Sequence, residues 1–313
     1  MRDVKSQRKS KRRNTFDNYD HENTFKHDLN LLSPSFRDTF TKDTYAVGYT
    51  AKTIESGNQF EVELYPTFKT GHIPSFVVRK GKSNETKKHQ RDLNSRNSRK
   101  RLERLIHTNF GPGDYWVTLT FGNEDLPKGL EDAERLSKNY FKRINRLRKK
   151  KGLDNAKYIY VIEEGTYGTE RLHLHLIMDG DMAKEDVEAK WGHGRVTNRT
   201  INYHGDESLM GLCKYLAKDP ETYKKTAFRL KGKRSWGSSK GNLKEPTVRH
   251  NRRKFSRSKV NKMANNQCEI AEVLEKEYPG YQFKEVEVRY NDNNALYYIY
   301  ARMHNRRPMR NRR

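Results

Sequence analysis

"RLHLHLIMDG", residues 171–180, places His173 and His175 two apart within an otherwise apolar run. In a strand, residues two apart project from the same face, so the imidazoles share one side while Leu172, Leu174 and Leu176 share the other. The leucine side calls for a covering layer, and the histidine side calls for a chemical reason. Upstream, "KYIYVIEE" (157–164) reads as a second strand, and the six residues "GTYGTE" between the two suit a hairpin loop. Pairing across that loop brings one carboxylate beside the histidines. An even-sum register selects Glu163 and an odd-sum register Glu164, and the sequence leaves the parity open. An isolated His-x-His is most simply two histidines on a solvated face. With a carboxylate added, two imidazoles suit a divalent cation that keeps open positions for a substrate oxygen.

The neighbouring segments supply the rest of a sheet. "DYWVTLTFG" (114–122) is a buried strand rich in β-branched and aromatic residues. In "GLEDAERLSKNYFKRINRLRKKKG", Leu130, Ala133, Leu136, Tyr140, Ile144 and Leu147 form an apolar helical stripe, with acids leading and bases trailing as the helix dipole prefers. "DMAKEDVEAKW" makes a short helix with Asp181 placed to cap it, and "GRVTNRTINY" reads as a strand. Asp206 is placed to cap "ESLMGLCKYLAK", with Leu209, Leu212, Cys213 and Leu216 facing inward and Pro220 ending the helix. The order β-α-β-β-α-β-α predicts an α+β domain, with helices against a central antiparallel sheet.

Around this unit, over residues 109–249, the chain is strongly basic. Its 65 Lys and Arg outnumber 40 Asp and Glu, a formal charge of +25, which predicts a polyanionic partner, most often nucleic acid. Residues 1–40 open with "MRDVKSQRKSKRR" and read as a basic, disordered arm. Residues 41–78 alternate in short runs broken by Gly and Pro, a small β-rich element. Residues 79–108 form a basic helix, with Leu102, Leu105 and Ile106 on one side and Arg99, Lys100, Arg101 and Arg104 as candidates to contact DNA phosphates. Lys231, Lys233, Arg234 and Lys240, in the loop after Pro220, are candidates of the same kind. Residues 250–313 read as a helix, "SKVNKMANNQCEIAEVLEKEYPG", then a hairpin and an arginine-rich tail. Trp116, Tyr167 and Trp236 could stack on unpaired bases, with core packing the better role for Trp116. No run approaches the ~20 apolar residues of a membrane span, and the N-terminus lacks a signal-peptide stretch. Two cysteines without paired spacing indicate neither a disulfide framework nor a zinc ribbon. These features predict a cytoplasmic protein without a membrane partner.

"KYLAK" holds Tyr215 and Lys218 three residues apart, on adjoining helical positions. A phenol with an ordinary pKa near ~10 needs a cation or metal-bound phosphate nearby to act as a nucleophile at neutral pH. Taken alone, one tyrosine among 18 is most simply structural. In combination, "VTLTF" (117–121), "HLHL" (173–176) and "YLAK" (215–218) follow the motif order of the HUH endonucleases of the rolling-circle replication initiator (Rep) type. The chain resembles in particular the replication-associated proteins of filamentous phages, small plasmids and Firmicutes elements. "RKRLERLIHTNFGPGDYWVTLTF" and "GKRSWGSSKGNLKEP" extend the resemblance over roughly residues 95–250.

The resemblance implies the HUH catalytic fold with His173, His175 and Glu163 as ligands of Mg²⁺ or Mn²⁺, and Glu164 in reserve. It implies Tyr215 as the nucleophile, Lys218 as the lysine one turn on, and mainly structural roles for Thr118 and Thr120. The implied reaction nicks and rejoins single-stranded origin DNA through a 5′-phosphotyrosine link, in a bacterial host cell. Tyr223 lies beyond Pro220, so two nucleophiles on one helix are not supported. In "GKRSWGSS", Ser238 stands where a phosphate-binding loop needs lysine, which implies no ATP and a host or separate helicase. The histidine-before-tyrosine order argues against a conjugative relaxase. Two alternatives compete: a non-catalytic DNA-binding replication regulator, and a mobilisation or transposition nickase of the same chemistry. A basic RNA-binding protein would leave the motifs to coincidence.

Overall fold

Alternating side chains and one amphipathic helical stripe build the layer that holds the histidines. The computed structural model describes residues 45–69, 84–164, 171–202, 209, 212–213, 236–291 and 295–306. In chain order the elements are β1 (Tyr45–Ser56), β2 (Gln59–Lys69), α1 (Asn84–Asn109), β3 (Tyr115–Thr120), α2 (Leu130–Lys150), β4 (Tyr158–Glu164), β5 (Leu172–Met178), α3 (Lys184–Ala189), β6 (Val196–Thr200), β7 (Gly237–Ser238) and β8 (Thr247–Asn251). They continue with α4 (Arg257–Asn265), a 3₁₀ turn (Gln267–Glu269), α5 (Ile270–Glu277), β9 (Tyr281–Asn291) and β10 (Leu296–Asn305). The strands form two antiparallel five-stranded sheets, β6-β3-β5-β4-β7 and β8-β1-β2-β10-β9, giving an α+β fold. Among the described residues, no helix is long and apolar enough to cross a membrane.

In the first sheet, the leucine side of β5 packs under α2. Leu174, Leu176 and Met178 join Val117 and Leu119 against Ala133, Tyr140, Phe141 and Ile144. At the basic end of α2, Arg148 turns inward and is 1% exposed. Its Nη1 donates to Asp179 Oδ1 at 2.5 Å and its Nε to the Asp154 carbonyl, while the Lys157 amide donates to the other Asp179 oxygen. This pair ties the end of α2 to the end of β5. Replacing Arg148 by Met is expected to cost about 3–5 kcal/mol in urea unfolding, because Asp179 would keep a buried charge with only an amide to balance it. A loss under about 1 kcal/mol would show that the charge is not buried as described. Asp181, expected to cap the next helix, instead accepts from Arg148 at 3.4 Å. α3 starts after Ala183 without a side-chain cap.

The other side of this sheet carries Ile159, Val161 and Ile177, and Leu102, Leu105 and Ile106 of α1 cover them. The opposite side of α1 faces the second sheet through charge rather than apolar contact. Arg104, 2% exposed, donates from Nε and Nη2 to both oxygens of Glu61 at 2.8 and 2.5 Å, and reaches Glu63 at 3.1 Å. Lys52 pairs with Glu63, and Arg302 with Glu103 of the helix. The expectation that Arg104 contacts DNA is therefore corrected: two carboxylates enclose its guanidinium and no phosphate can reach it. Of its helical neighbours, Arg101 pairs with Glu245 at 2.8 Å, Lys100 is exposed with its ammonium over the Tyr300 ring, and Arg99 is half-buried.

This ionic layer has a pH signature. Burial raises the Glu61 carboxyl, but the charge and hydrogen bonds of Arg104 outweigh it and hold the group at about 2, against an ordinary 4.5. A depressed carboxyl stabilises the fold above its unfolded value and loses that contribution as pH falls toward its folded value. The shift corresponds to about 3 kcal/mol, lost between pH 4.5 and pH 2. Glu103 runs the other way, since burial raises its carboxyl and protonation relieves it. Chemical denaturation across this window is expected to fall more steeply for the wild type than for Glu61→Gln, and equal slopes would remove Arg104–Glu61 as the cause.

The second sheet joins the hairpin β1–β2 to the distant hairpin β9–β10, with Met303 opposite Phe60 and Ile299 opposite Leu64. α4 and α5 close its apolar side through Phe255, Val260, Met263, Ile270 and Leu274. The single helix expected for "SKVNKMANNQCEIAEVLEKEYPG" is two, broken at Asn266, whose extended backbone ends α4. Ser256 caps α4 by accepting from the Lys259 amide at 3.2 Å.

Candidate metal centre

The β4–β5 register is even-sum: Glu163 lies opposite His173 and Val161 opposite His175. From the other flank, β3 sets Thr120 opposite His173 and Thr118 opposite His175. Paired residues in an antiparallel ladder share a face, so Thr120, His173 and Glu163 form one row across the sheet, with Thr118 and His175 in the next. Glu163 and His175 are buried and His173 is half-buried. Glu163 Oε2 lies 3.7 Å from His175 Nε2 and 4.0 Å from His173 Nε2. One donor atom from each of the three lies within 4.8 Å of the others.

The ring contacts decide which nitrogens face this point. His173 Nδ1 lies 3.4 Å from the Arg171 carbonyl, which can only accept, so Nδ1 carries the proton in that contact. His175 Nδ1 lies 3.1 Å from the Thr118 hydroxyl, which can accept in the same way. With both Nδ1 atoms donating outward, both Nε2 lone pairs point toward Glu163. Such outward hydrogen bonds set the tautomer a metal-binding histidine needs. Trp116 stacks on His175 with centroids 5.3 Å apart and planes 11° from parallel, and His173 meets His175 edge-on at 4.8 Å. Donors about 2.1 Å from one cation sit about 3 Å apart, so small side-chain rotations bring the carboxylate and imidazoles into range. Glu163, His173 and His175 form a group that could hold a metal ion, with an N₂O donor set.

The end of β3 is fixed from below and beside. Trp191 Nε1 donates to the Thr120 carbonyl at 2.7 Å, and the Thr120 hydroxyl donates to the Arg195 carbonyl at 3.0 Å. Gly194, with φ +145°, lets this loop lie directly on β3, since a Cβ there would collide with the Thr120 carbonyl and the Gly122 amide. Thr118, expected to be mainly structural, holds the His175 ring. The signal for it lies in strand pairing, because the first threonine of "VTLTF" falls opposite a histidine only once the register is fixed.

Tyr215, Lys218, Lys231, Lys233 and Arg234 lie outside the described residues, as does Tyr167. The segment leading to Tyr215 is anchored at Leu209 and Cys213, both buried with Val161 and Ile177 on the histidine side of the sheet. The Cys213 amide donates to the Leu209 carbonyl at 2.9 Å, one helical hydrogen bond. Burial pushes the Cys213 thiol well above its ordinary range, so Cys213 packs and does not attack. Lys240 is exposed just after β7, the edge strand paired to β4. Trp236 donates to Ser98 at 3.0 Å and packs against α1.

A family model described as a replication-associated protein of the ORF2 type matches residues 114–220, about a third of the chain. The matched span contains β3, α2, the β4–β5 hairpin with the three donors, and the "KYLAK" segment. The match supports a replication-initiator family and, with it, a role in DNA replication that requires DNA binding. No curated protein and no solved structure matches the chain.

Proposed function

We propose that this chain starts rolling-circle replication by nicking and rejoining single-stranded DNA at an origin. The observation that carries the reading is the cluster of Glu163, His173 and His175, with both Nδ1 atoms turned outward, on the sheet side where Leu209 and Cys213 anchor the segment leading to Tyr215. Such a donor set suits Mn²⁺ or Mg²⁺, with the imidazoles favouring Mn²⁺. When bound, the cation supplies charge stabilisation to the scissile phosphate.

The chain's own groups do the rest. The Tyr215 oxygen attacks phosphorus, forming the tyrosyl–phosphate bond as the bond to the 3′ oxygen breaks. The phenol proton leaves and the freed 3′ oxygen takes one up. Lys218, one turn on in a helix, favours the phenolate by its charge. Phosphodiester energy is kept in the tyrosyl ester, so a later 3′-hydroxyl can reverse the step and rejoin the strand. Arg99, Lys100, Arg101, Lys231, Lys233, Arg234 and Lys240 hold the strand through its phosphates, with salt-sensitive affinity. Unwinding falls to a separate helicase.

The test incubates the protein with Mn²⁺ and end-labelled single-stranded fragments tiled across its own element. A labelled fragment that stays with the protein on a denaturing gel is the expected product. Tight binding with no covalent product, across fragments and metals, would replace this reading with a non-catalytic replication regulator.

A further inference from the structure

The two edges of the second sheet differ in charge. On β9, Glu285 and Glu287 stand with Lys284 and Arg289, and they are paired with Arg302 at 3.0 Å and Arg289 at 2.6 Å. On the opposite edge, β8 and the turn after it read "TVRHNRRKFSR" (247–257), with five Lys or Arg and no acid. Arg249, Arg252, Arg253 and Arg257 are all exposed, as is His250. The acids around this edge are already engaged: Glu245 with Arg101, Glu277 with Lys254 and Lys259, and Glu55 with Tyr281.

We infer that this edge is a second DNA-contacting surface, one that grips the phosphate backbone of the duplex beside the nicking site. The inference rests on the DNA-processing reading above and assigns a role to a part of the chain outside the 114–220 match. A charged edge strand also discourages edge-to-edge pairing, but one arginine on the strand suffices for that. Arg252, Arg253 and Arg257 lie past its end, where there is no ladder to protect.

Duplex is favoured over single strand by what the edge lacks. Single-strand tracks combine charge with aromatic rings on which bases stack. The one aromatic side chain apart from His250 in 247–257 is Phe255, and it is 1% exposed in the core beneath α4. The edge therefore offers fixed charge along a rigid strand, which matches a regular backbone and reads no bases. Its position fits the task. The chain runs directly from β7, hydrogen-bonded to the strand that carries Glu163, to β8 on the second sheet. A helix of DNA leaving the metal centre on the β4 side would meet this edge.

The test compares full-length protein with R249Q/R252Q/R253Q/R257Q, using a random-sequence duplex and its isolated top strand in fluorescence anisotropy over a salt series. Duplex affinity is expected to fall at least ~10-fold at low salt, and the slope of log K against log salt to shrink by up to about 3.6 for four lost phosphate contacts. Single-strand affinity and covalent linkage to a short single strand are expected to stay at wild-type levels. The four-lysine counterpart, which keeps the charge, should restore duplex binding and guards against misfolding as the cause. An unchanged duplex slope would overturn the inference, and so would an equal loss for the single strand. Covalent linkage is scored separately, so failure of the nicking reading leaves the duplex result interpretable.

Discussion

Tyr215→Phe is expected to abolish the protein–DNA link while leaving metal and DNA binding in place. The substitution removes one oxygen. If that oxygen forms the bond to phosphorus, no other group in the variant can do so, and strand cleavage should fall by roughly 10³-fold or more. The competing nucleophile nearest in sequence, Cys213, is buried with its thiol pushed up, so it cannot take over. Single-strand affinity should change by no more than about 0.5 kcal/mol, as for other substitutions that disturb no packing or network. The decisive comparison is a denaturing gel of labelled origin strand with Mn²⁺, wild type beside variant, together with anisotropy on the same strand. A linked product of normal yield in the variant would remove Tyr215 from the chemistry. It would send the search to other hydroxyls near the histidine face, including Thr120. A loss of linkage and of binding together would mean that the ring holds DNA rather than attacks it.

What can be read from sequence, and what cannot, divides along a physical line. The histidine strand, its hairpin partner and α2 are legible because each carries a local period: alternation in "RLHLHLIM" and a 3.6-residue stripe from Leu130 to Leu147. The parity that brings Glu163 rather than Glu164 opposite His173 is not legible, because register depends on the turn and on cross-strand packing. The second sheet is not legible as one body. Its hairpins lie at opposite ends of the chain, and pairing such as Met303 with Phe60 leaves no mark in either segment alone. Arg104 escapes a sequence reading for a related reason. In a run of bases every arginine reads as solvated, and the two acids that enclose it lie in "FEVELY", some forty residues upstream. There, Glu61 and Glu63 alternate with Val62 and Leu64, so both acids fall on one face of a strand whose other face is core. Two carboxylates on one face of a half-buried strand, in a chain of charge +25, are a request for a buried cation. β8 is hidden because "TVRHN" has almost no apolar residue and exists as a strand only by pairing with β1.

The metal centre makes the second large expectation. His175→Ala should reduce Mn²⁺ affinity by more than ~100-fold, since loss of a direct donor exceeds the ~10- to 100-fold typical when only a ligand's outward partner is lost. That benchmark can be measured in the same protein. Thr118→Val keeps the shape of the side chain opposite His175 and deletes the hydroxyl 3.1 Å from Nδ1. It should weaken Mn²⁺ by ~10- to 100-fold at a stability cost of about 1 kcal/mol. Free Mn²⁺ can be counted by its electron paramagnetic resonance signal without any DNA, so the readout does not depend on catalysis. The pair of variants separates positioning from packing. If Thr118 only fills space between β3 and β5, valine fills it as well and Mn²⁺ binding stays at the wild-type level. If it fixes the His175 tautomer, affinity falls although the fold is intact, and Thr118→Ser, which keeps a hydroxyl, recovers it. Wild-type Mn²⁺ binding by His175→Ala would dismiss the centre altogether. The two imidazoles would then be satisfied polar groups, held by Thr118 and the Arg171 carbonyl, beside a carboxylate with a different task.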